Sequence, residues 1–154
     1  MDAAGFRLAV EAGLDLSVYG VGWEAYLQPG QIRGEFIANA ELPAAYAGAG
    51  VVLNDHWPDI AAQGFLSNRL FDAAACGSRI LTDEATGLSD VFGGDLRTYS
   101  DADSLVAALS GDRDEHFPSR EDRLALAARV ARDHSFDARA AVLVERALEL
   151  RGRR

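Results

Sequence analysis

Lysine is absent from this chain of 154 residues, so all 15 basic side chains are arginine. Acidic side chains number 24, and the formal net charge at pH 7 is −9. Without lysine, a phosphate must be contacted by arginine, hydroxyl groups or backbone amides, which excludes a lysine-dependent phosphate loop. The negative charge argues against binding to a nucleic acid backbone or to an anionic membrane surface.

Cysteine and long apolar runs are also scarce. The single cysteine, Cys76, cannot form an intramolecular disulfide and leaves too few thiols for a structural zinc site, so we expect no bound metal. No apolar run approaches the ~20 residues that span a bilayer, and the first residues are unlike a secretory signal. We therefore expect a cytoplasmic protein without a membrane span, built as one domain over residues 1–151 with a disordered tail at 152–154.

Strand and helix patterns alternate along most of the chain. The predicted strands cover 14–19, 33–37, 51–53, 79–82 and 96–99. The predicted helices cover 2–12, 41–49, 68–76, 87–92, a segment capped by Ser100 or Asp101 that runs to Leu109, and finally 120–133 and 136–151. The segment 111–118 is expected to be a charged loop. This alternation predicts an α/β fold, with a Rossmann-like parallel sheet, helices on both faces and two carboxyl-terminal helices.

Ligands of open α/β sheets bind beyond the carboxyl ends of the strands, where loops lead into helices. One such junction, Tyr19-Gly20-Val-Gly22, superficially matches a dinucleotide-binding fingerprint. A dinucleotide site needs a long helix directly afterwards, and Pro29 leaves room for only about a turn and a half. Three interpretations stay open: a dinucleotide site, a glycine-rich turn that lets Trp23 pack, or a turn that lines a nucleotide or sugar pocket.

The segment from Gly64 to Gly77 is the most informative junction. Ser67 is expected to cap a helix that Gly77 ends, and Gly64 permits a close backbone approach to a ligand. Free N–H groups at the start of the helix, near Asn68, suit a diphosphate. Arg69 in the first turn can add a forked contact to phosphate oxygens.

Two further side chains each have two interpretations. Asp72 lies on much the same helix face as Arg69, where its carboxylate can accept hydrogen bonds from a ribose diol. The alternative is a surface ion pair between Arg69 and Asp72. His56, two residues after Asn54, is a candidate phosphate ligand or general acid–base; alternatively it serves packing and hydrogen bonding.

Six short motifs follow one another along the chain. They are Val18-Tyr-Gly-Val-Gly-Trp23, Leu42-Pro-x-x-Tyr46, Val51-Val-Leu-Asn54, Ser67-Asn-Arg-Leu-Phe-Asp-Ala-x-Ala-Cys-Gly77, Leu81-Thr-Asp83 and His134-Ser-Phe-x-x-Arg139. The ordered set resembles the carboxyl-terminal domain of GT-B glycosyltransferases, especially the bacterial family that includes spore-maturation-type enzymes. The resemblance runs from about Leu14 to Leu148.

The resemblance implies a domain that binds a nucleotide diphosphate sugar, with no metal and no other cofactor. By this likeness Asn68 and Arg69 face the donor diphosphate and Asp72 holds the ribose. The loop that includes Asn54 and His56 lies beside the donor, and the turn from Tyr19 to Trp23 borders it. Two residues depart from the family pattern. Asp72 stands where glutamate is usual, and Gly64 stands where retaining relatives carry the first of two glutamates.

GT-B enzymes place the acceptor site in an amino-terminal domain of comparable size, for which this chain has no room. The resemblance therefore implies the donor-binding half of a glycosyltransferase, inactive without the missing domain. The sugar, the base, the acceptor and the stereochemistry stay undetermined by the sequence. The alternative is a non-enzymatic α/β module for protein interaction or regulation.

Overall fold

The computed structural model describes residues 4–152. The helices are α1 (Ala4–Glu11), α2 (Leu42–Gly48), α3 (Pro58–Ala62), α4 (Asn68–Ala75), α5 (Leu88–Phe92), α6 (Ala102–Ser110), α7 (Arg113–His116), α8 (Arg120–Asp133) and α9 (Phe136–Gly152). The strands are β1 (Val18–Tyr19), β2 (Ile32–Gly34), β3 (Val52–Asn54), β4 (Ile80–Asp83) and β5 (Arg97–Tyr99). Residues 2 and 3 of the first predicted helix lie outside the described range.

The strands form two parallel sheets. β3, β4 and β5 pair in that order, and Asn54 lies opposite Thr82 in the register of the first pair. β1 and β2 form a separate two-stranded sheet. Every neighbouring pair is parallel, and the crossover segments that join β3 to β4 and β4 to β5 contain α3, α4 and α5.

Alternate residues of β4 serve two cores. Ile80 belongs to a cluster with buried residues of α4, α5 and α8, whereas the next residue, Leu81, belongs to a cluster with α1 and α6. Successive side chains of a strand point to opposite faces, so the central sheet carries helices on both sides. The predicted Rossmann-like α/β fold is confirmed, as are the two carboxyl-terminal helices.

Most helix boundaries follow their local signals. Ser67 caps α4 by accepting a hydrogen bond from the backbone of Arg69, and Gly77 ends the turn with φ +68°. Asp101 caps α6, where its Oδ1 accepts the N–H of Ser104 at 2.8 Å. Pro43 sits in the first turn of α2, the position in a helix where proline costs least.

Several segments differ from the sequence-based expectation, and the strands predicted over 14–19 and 33–37 are shorter in the structure. The predicted loop 111–118 contains the single-turn helix α7, because Asp112 accepts the N–H of Asp114 at 2.9 Å and caps it. The aromatic loop after β3 continues into α3, which begins at Pro58. Gly152 belongs to α9 although it was expected in the tail, whose last two residues lie outside the described range.

Candidate functional site

The carboxyl ends of the central strands meet at one edge of the sheet. Asn54 ends β3, Asp83 ends β4 and Tyr99 ends β5, and all three strands run in the same direction. The first turn of α4 lies beside this edge, since Ser67 bonds to a side chain that follows β3. The edge therefore has the position at which open α/β sheets bind ligands.

Asn54 is buried at this edge with 1% of its surface exposed. Its Nδ2 donates to Oγ1 of Thr82 at 3.1 Å. Its Oδ1 has no hydrogen-bond partner among residues 4–152, although it is fully buried. Such orphaned acceptors are uncommon, and this one leaves the sheet edge one donor short.

His56 connects this edge to α4. Its side chain is 1% exposed, and Nδ1 lies 2.6 Å from Oδ1 of Asp83. The backbone N–H of His56 also donates to the Asp83 carboxylate, at 3.1 and 3.2 Å to its two oxygens. Nε2 of His56 accepts the backbone N–H of Ser67 at 3.2 Å. Both ring nitrogens are thus engaged within the protein, which favours the packing and hydrogen-bonding interpretation of this histidine.

Asp55 holds β5 against the end of β3. The hydroxyl of the buried Tyr99 donates to its Oδ1, and the backbone N–H of Phe6 donates to Oδ2 at 3.4 Å. Burial raises the pKa of Tyr99 far above its ordinary value, and the hydrogen bond to Asp55 adds to the rise. The negative charge of Asp83 acts in the same direction, so this tyrosine stays protonated.

The first two turns of α4 present their polar side chains to solvent. Asn68, Arg69 and Asp72 are all exposed, while Leu70 between them is fully buried. In the described part of the chain no ion pair joins Arg69 to Asp72, which removes the simplest alternative for these two residues. The N–H of Arg69 is taken by Oγ of Ser67 at 3.3 Å.

Gly64 is required by the local backbone conformation and by the packing of a neighbouring loop. It has φ +73°, a region that favours glycine, and a Cβ there would lie 3.2 Å from the carbonyl oxygen of Thr86. Its close approach is therefore to the loop after β4. Beside this contact lies an open depression of about 300 Å³, lined by Ala61, Ala62, Glu84, Ala85 and Thr86.

The turn after β1 is built around Trp23. Gly20 has φ +141°, and a Cβ there would lie 2.7 Å from Nε1 of Trp23. The Trp23 ring packs on Phe6 at 4.4 Å between centroids. Tyr19 is 45% exposed and Gly22 has φ +81°. Turns follow β1 where a dinucleotide site would need a long helix, so the structure does not support the dinucleotide interpretation. It supports the interpretation of a glycine-rich turn that lets Trp23 pack.

The Cys76 thiol reports on Asp72 one helical turn away. Burial raises the pKa of Cys76, and the negative charge of Asp72 raises it further. We expect Asp72→Asn to lower that pKa and to speed alkylation by iodoacetamide at neutral pH, because the thiolate is the reactive form. This cysteine is the only one in the chain, so the rate has a single source. Asp59→Asn, on the exposed first turn of α3, is the control, and equal rates in all three proteins would contradict the assignment.

Three residues of this hydrogen-bonded sheet edge were given no site role by the sequence, although Asp83 ends one of the six motifs: Asp55, Asp83 and Tyr99. Asp83 and Tyr99 are the last residues of β4 and β5, and Asp55 directly follows β3. Parallel strand ends meet at one edge, so their position was the available signal. Residues 6–152 hold no group of three His, Cys, Asp or Glu side chains arranged to share a metal ion, and no helix in that range has the length and apolar character to cross a membrane.

Comparison with known proteins adds one finding. The model of the family described as glycosyl transferase-like matches residues 5–145. No match was found among curated proteins or among solved structures. The family match spans both cores, the sheet edge and α4, and it covers nearly the whole of the 154 residues. The chain therefore belongs to the glycosyl transferase-like family.

Proposed function

We propose that this chain binds the nucleotide diphosphate sugar of a glycosyl transfer reaction at the carboxyl edge of the central sheet. The observation that carries the proposal is the family match over residues 5–145, combined with an exposed arginine in the first turn of α4. The donor diphosphate lies at that turn, where the helix dipole and the Arg69 guanidinium both favour negative charge.

Two exposed groups complete the proposed contacts. The backbone N–H of Asn68 is free for a phosphate oxygen, since it donates to no other group within residues 4–152. The Asp72 carboxylate, which joins no ion pair within residues 4–152, accepts from the ribose hydroxyls. The start of α4 with Arg69 would therefore receive the diphosphate end of the nucleotide, and the Asp72 carboxylate would receive the ribose end.

We further propose that the reaction needs an acceptor-binding domain of the GT-B type, supplied outside these residues. At the sheet edge, neither His56 nor Asp83 is free to act as the base that activates an acceptor. The buried His56 is engaged at both ring nitrogens, and the side chain of Asp83 is held by it. Donor binding is therefore the part of the reaction that this chain performs.

Calorimetric titration with UDP, GDP and TDP and their sugar conjugates tests the proposal. We expect one base to bind, and Arg69→Ala to weaken that binding about tenfold, the loss of one charge-assisted contact. Arg97→Ala is the matched control, because Arg97 is exposed at the opposite end of β5. A well-folded protein that binds none of these nucleotides at millimolar concentration would contradict the proposal.

Binding of inorganic diphosphate, which has no ribose, distinguishes the Arg69 contact from the Asp72 contact. Arg69→Ala should weaken both the nucleotide and inorganic diphosphate, whereas Asp72→Asn should weaken only the nucleotide. Loss of inorganic diphosphate binding in Asp72→Asn would be the wrong sign for a ribose contact, because removing a negative charge favours anions.

A further inference from the structure

We propose that His56 positions the first turn of α4, and that it does so as the neutral imidazole with its proton on Nδ1. The inference rests on the proposed donor site, because that turn is where the diphosphate would bind. His56 itself does not touch the ligand. It acts through the backbone of Ser67, so it is a positioning residue.

The tautomer follows from the two partners of the ring. The Asp83 carboxylate, 2.6 Å from Nδ1, can only accept, so Nδ1 carries a proton. The backbone N–H of Ser67, 3.2 Å from Nε2, can only donate, so Nε2 carries a lone pair. The doubly protonated ring would set two N–H groups against each other at Ser67. One form of the ring satisfies both neighbours.

The Asp83 carboxylate is itself held in place. Oδ1 accepts from the hydroxyl of Thr82 at 3.2 Å, and both oxygens lie near the backbone N–H of His56. The Thr82 hydroxyl in turn accepts from Nδ2 of the buried Asn54. The ends of β3 and β4 are thus joined to α4 by a chain of hydrogen bonds that runs through one buried imidazole.

This series of hydrogen bonds determines which backbone amides at the start of α4 remain free for a ligand. Ser67 N–H is consumed by His56, and Arg69 N–H is consumed by the Ser67 hydroxyl. The amide left at the start of the helix is that of Asn68, one residue before Arg69. His56 therefore holds the backbone from which the Asn68 amide and the Arg69 side chain project.

NMR of the ligand-free protein labelled with ¹⁵N-histidine tests the tautomer. Only three histidines are present, and the His56 signals are assigned by their loss in His56→Gln. We expect a protonated Nδ1 and an unprotonated Nε2 at neutral pH. A signal from the Nε2-protonated tautomer, or from a doubly protonated ring, would overturn the inference whether or not any nucleotide binds.

Two substitutions distinguish the role of Nε2 of His56 from that of Nδ1. The glutamine amide in His56→Gln reaches the place of Nε2 and can accept the Ser67 N–H. The asparagine amide in His56→Asn reaches only the place of Nδ1 and leaves that N–H without an acceptor. Hydrogen exchange of the Ser67 amide should be protected in His56→Gln, as in the wild type, and faster in His56→Asn.

Nucleotide affinity gives the functional readout, with whichever of UDP, GDP or TDP binds the wild type most tightly. We expect about a tenfold loss in His56→Asn and less than about a threefold loss in His56→Gln, the difference expected for one hydrogen bond that orients the site. Asp83→Asn should behave like His56→Asn, because its amide can donate to Nδ1 and drive the ring proton to Nε2, which NMR would detect. If His56→Asn does not fold, as judged by urea unfolding, Asp83→Asn takes its place.

Equal losses of affinity and of Ser67 protection in His56→Gln and His56→Asn would overturn the positioning role, because a purely structural histidine makes no such distinction. If no nucleotide binds the wild type, the proposed function fails. The tautomer and the Ser67 amide then still decide whether His56 holds the turn.

Discussion

Phe92→Ala is expected to lower the free energy of unfolding by about 3–5 kcal/mol, the usual cost of deleting a buried aromatic ring. Phe92 is fully buried at the end of α5 and packs on Phe71 of α4, with 5.1 Å between ring centroids. Leu70 of α4 and Leu126 of α8 belong to the same cluster. The substitution leaves a cavity that these rigid elements cannot fully close.

Urea unfolding at neutral pH measures this effect. Phe136→Ala removes the same atoms at a position that is 92% exposed, so we expect its unfolding free energy to stay within about 0.5 kcal/mol of the wild type. A loss below about 1 kcal/mol in Phe92→Ala would mean that the packing of α4 against α5 and α8 is not as described.

Tyr99→Phe is expected to cost about 2–3 kcal/mol, because it removes a partly buried hydrogen bond to the Asp55 carboxylate. The phenyl ring fills nearly the same space, so the loss belongs to the hydroxyl. The bond joins β5 to the end of β3 across the central strand. Tyr26→Phe is the control, since Tyr26 is 54% exposed.

Tyr99 also makes the stability of the folded protein depend on pH in the alkaline range. Burial and the hydrogen bond to Asp55 raise the pKa of Tyr99 in the folded state. A raised pKa means that the stabilising contribution is complete below the unfolded value of about 10 and is lost as the pH rises above it. In that range the unfolded chain releases a proton that the folded chain keeps.

The pH dependence can be read from unfolding free energies measured from about pH 8 to 11, a span that brackets the unfolded tyrosine pKa. We expect the gap between the wild type and Tyr99→Phe to narrow as the pH passes about 10, with a slope of at most about 1.4 kcal/mol per pH unit. A gap that is constant over this range would contradict the raised pKa.

Local signals in the sequence were enough for α4 and its boundaries. Ser67 caps the helix through a hydroxyl that bonds two residues ahead, and Gly77 ends it with a positive φ. Both effects depend on a few neighbouring residues and act within one or two turns of chain. The ordered motifs also indicated the glycosyl transferase-like family, which the match over residues 5–145 confirms.

Short elements were harder to predict. The helix α7 depends on a single cap at Asp112, and one turn is too short to show a periodic apolar face. The strand predicted over 14–19 keeps only Val18–Tyr19 in a ladder, although Leu14 and Leu16 still pack on a core cluster. Apolar alternation records burial, and burial does not require a strand partner.

The sequence by itself determined the α/β class, the family, and the exposed polar turn of α4 with Arg69 and Asp72. Only the tertiary structure decided how His56 is used. Its partners are Asp83, 27 residues later, and the backbone of Ser67, 11 residues later. These bonds exist because parallel pairing brings the ends of β3 and β4 together, and a spacing along the chain carries no record of which strand ends become neighbours.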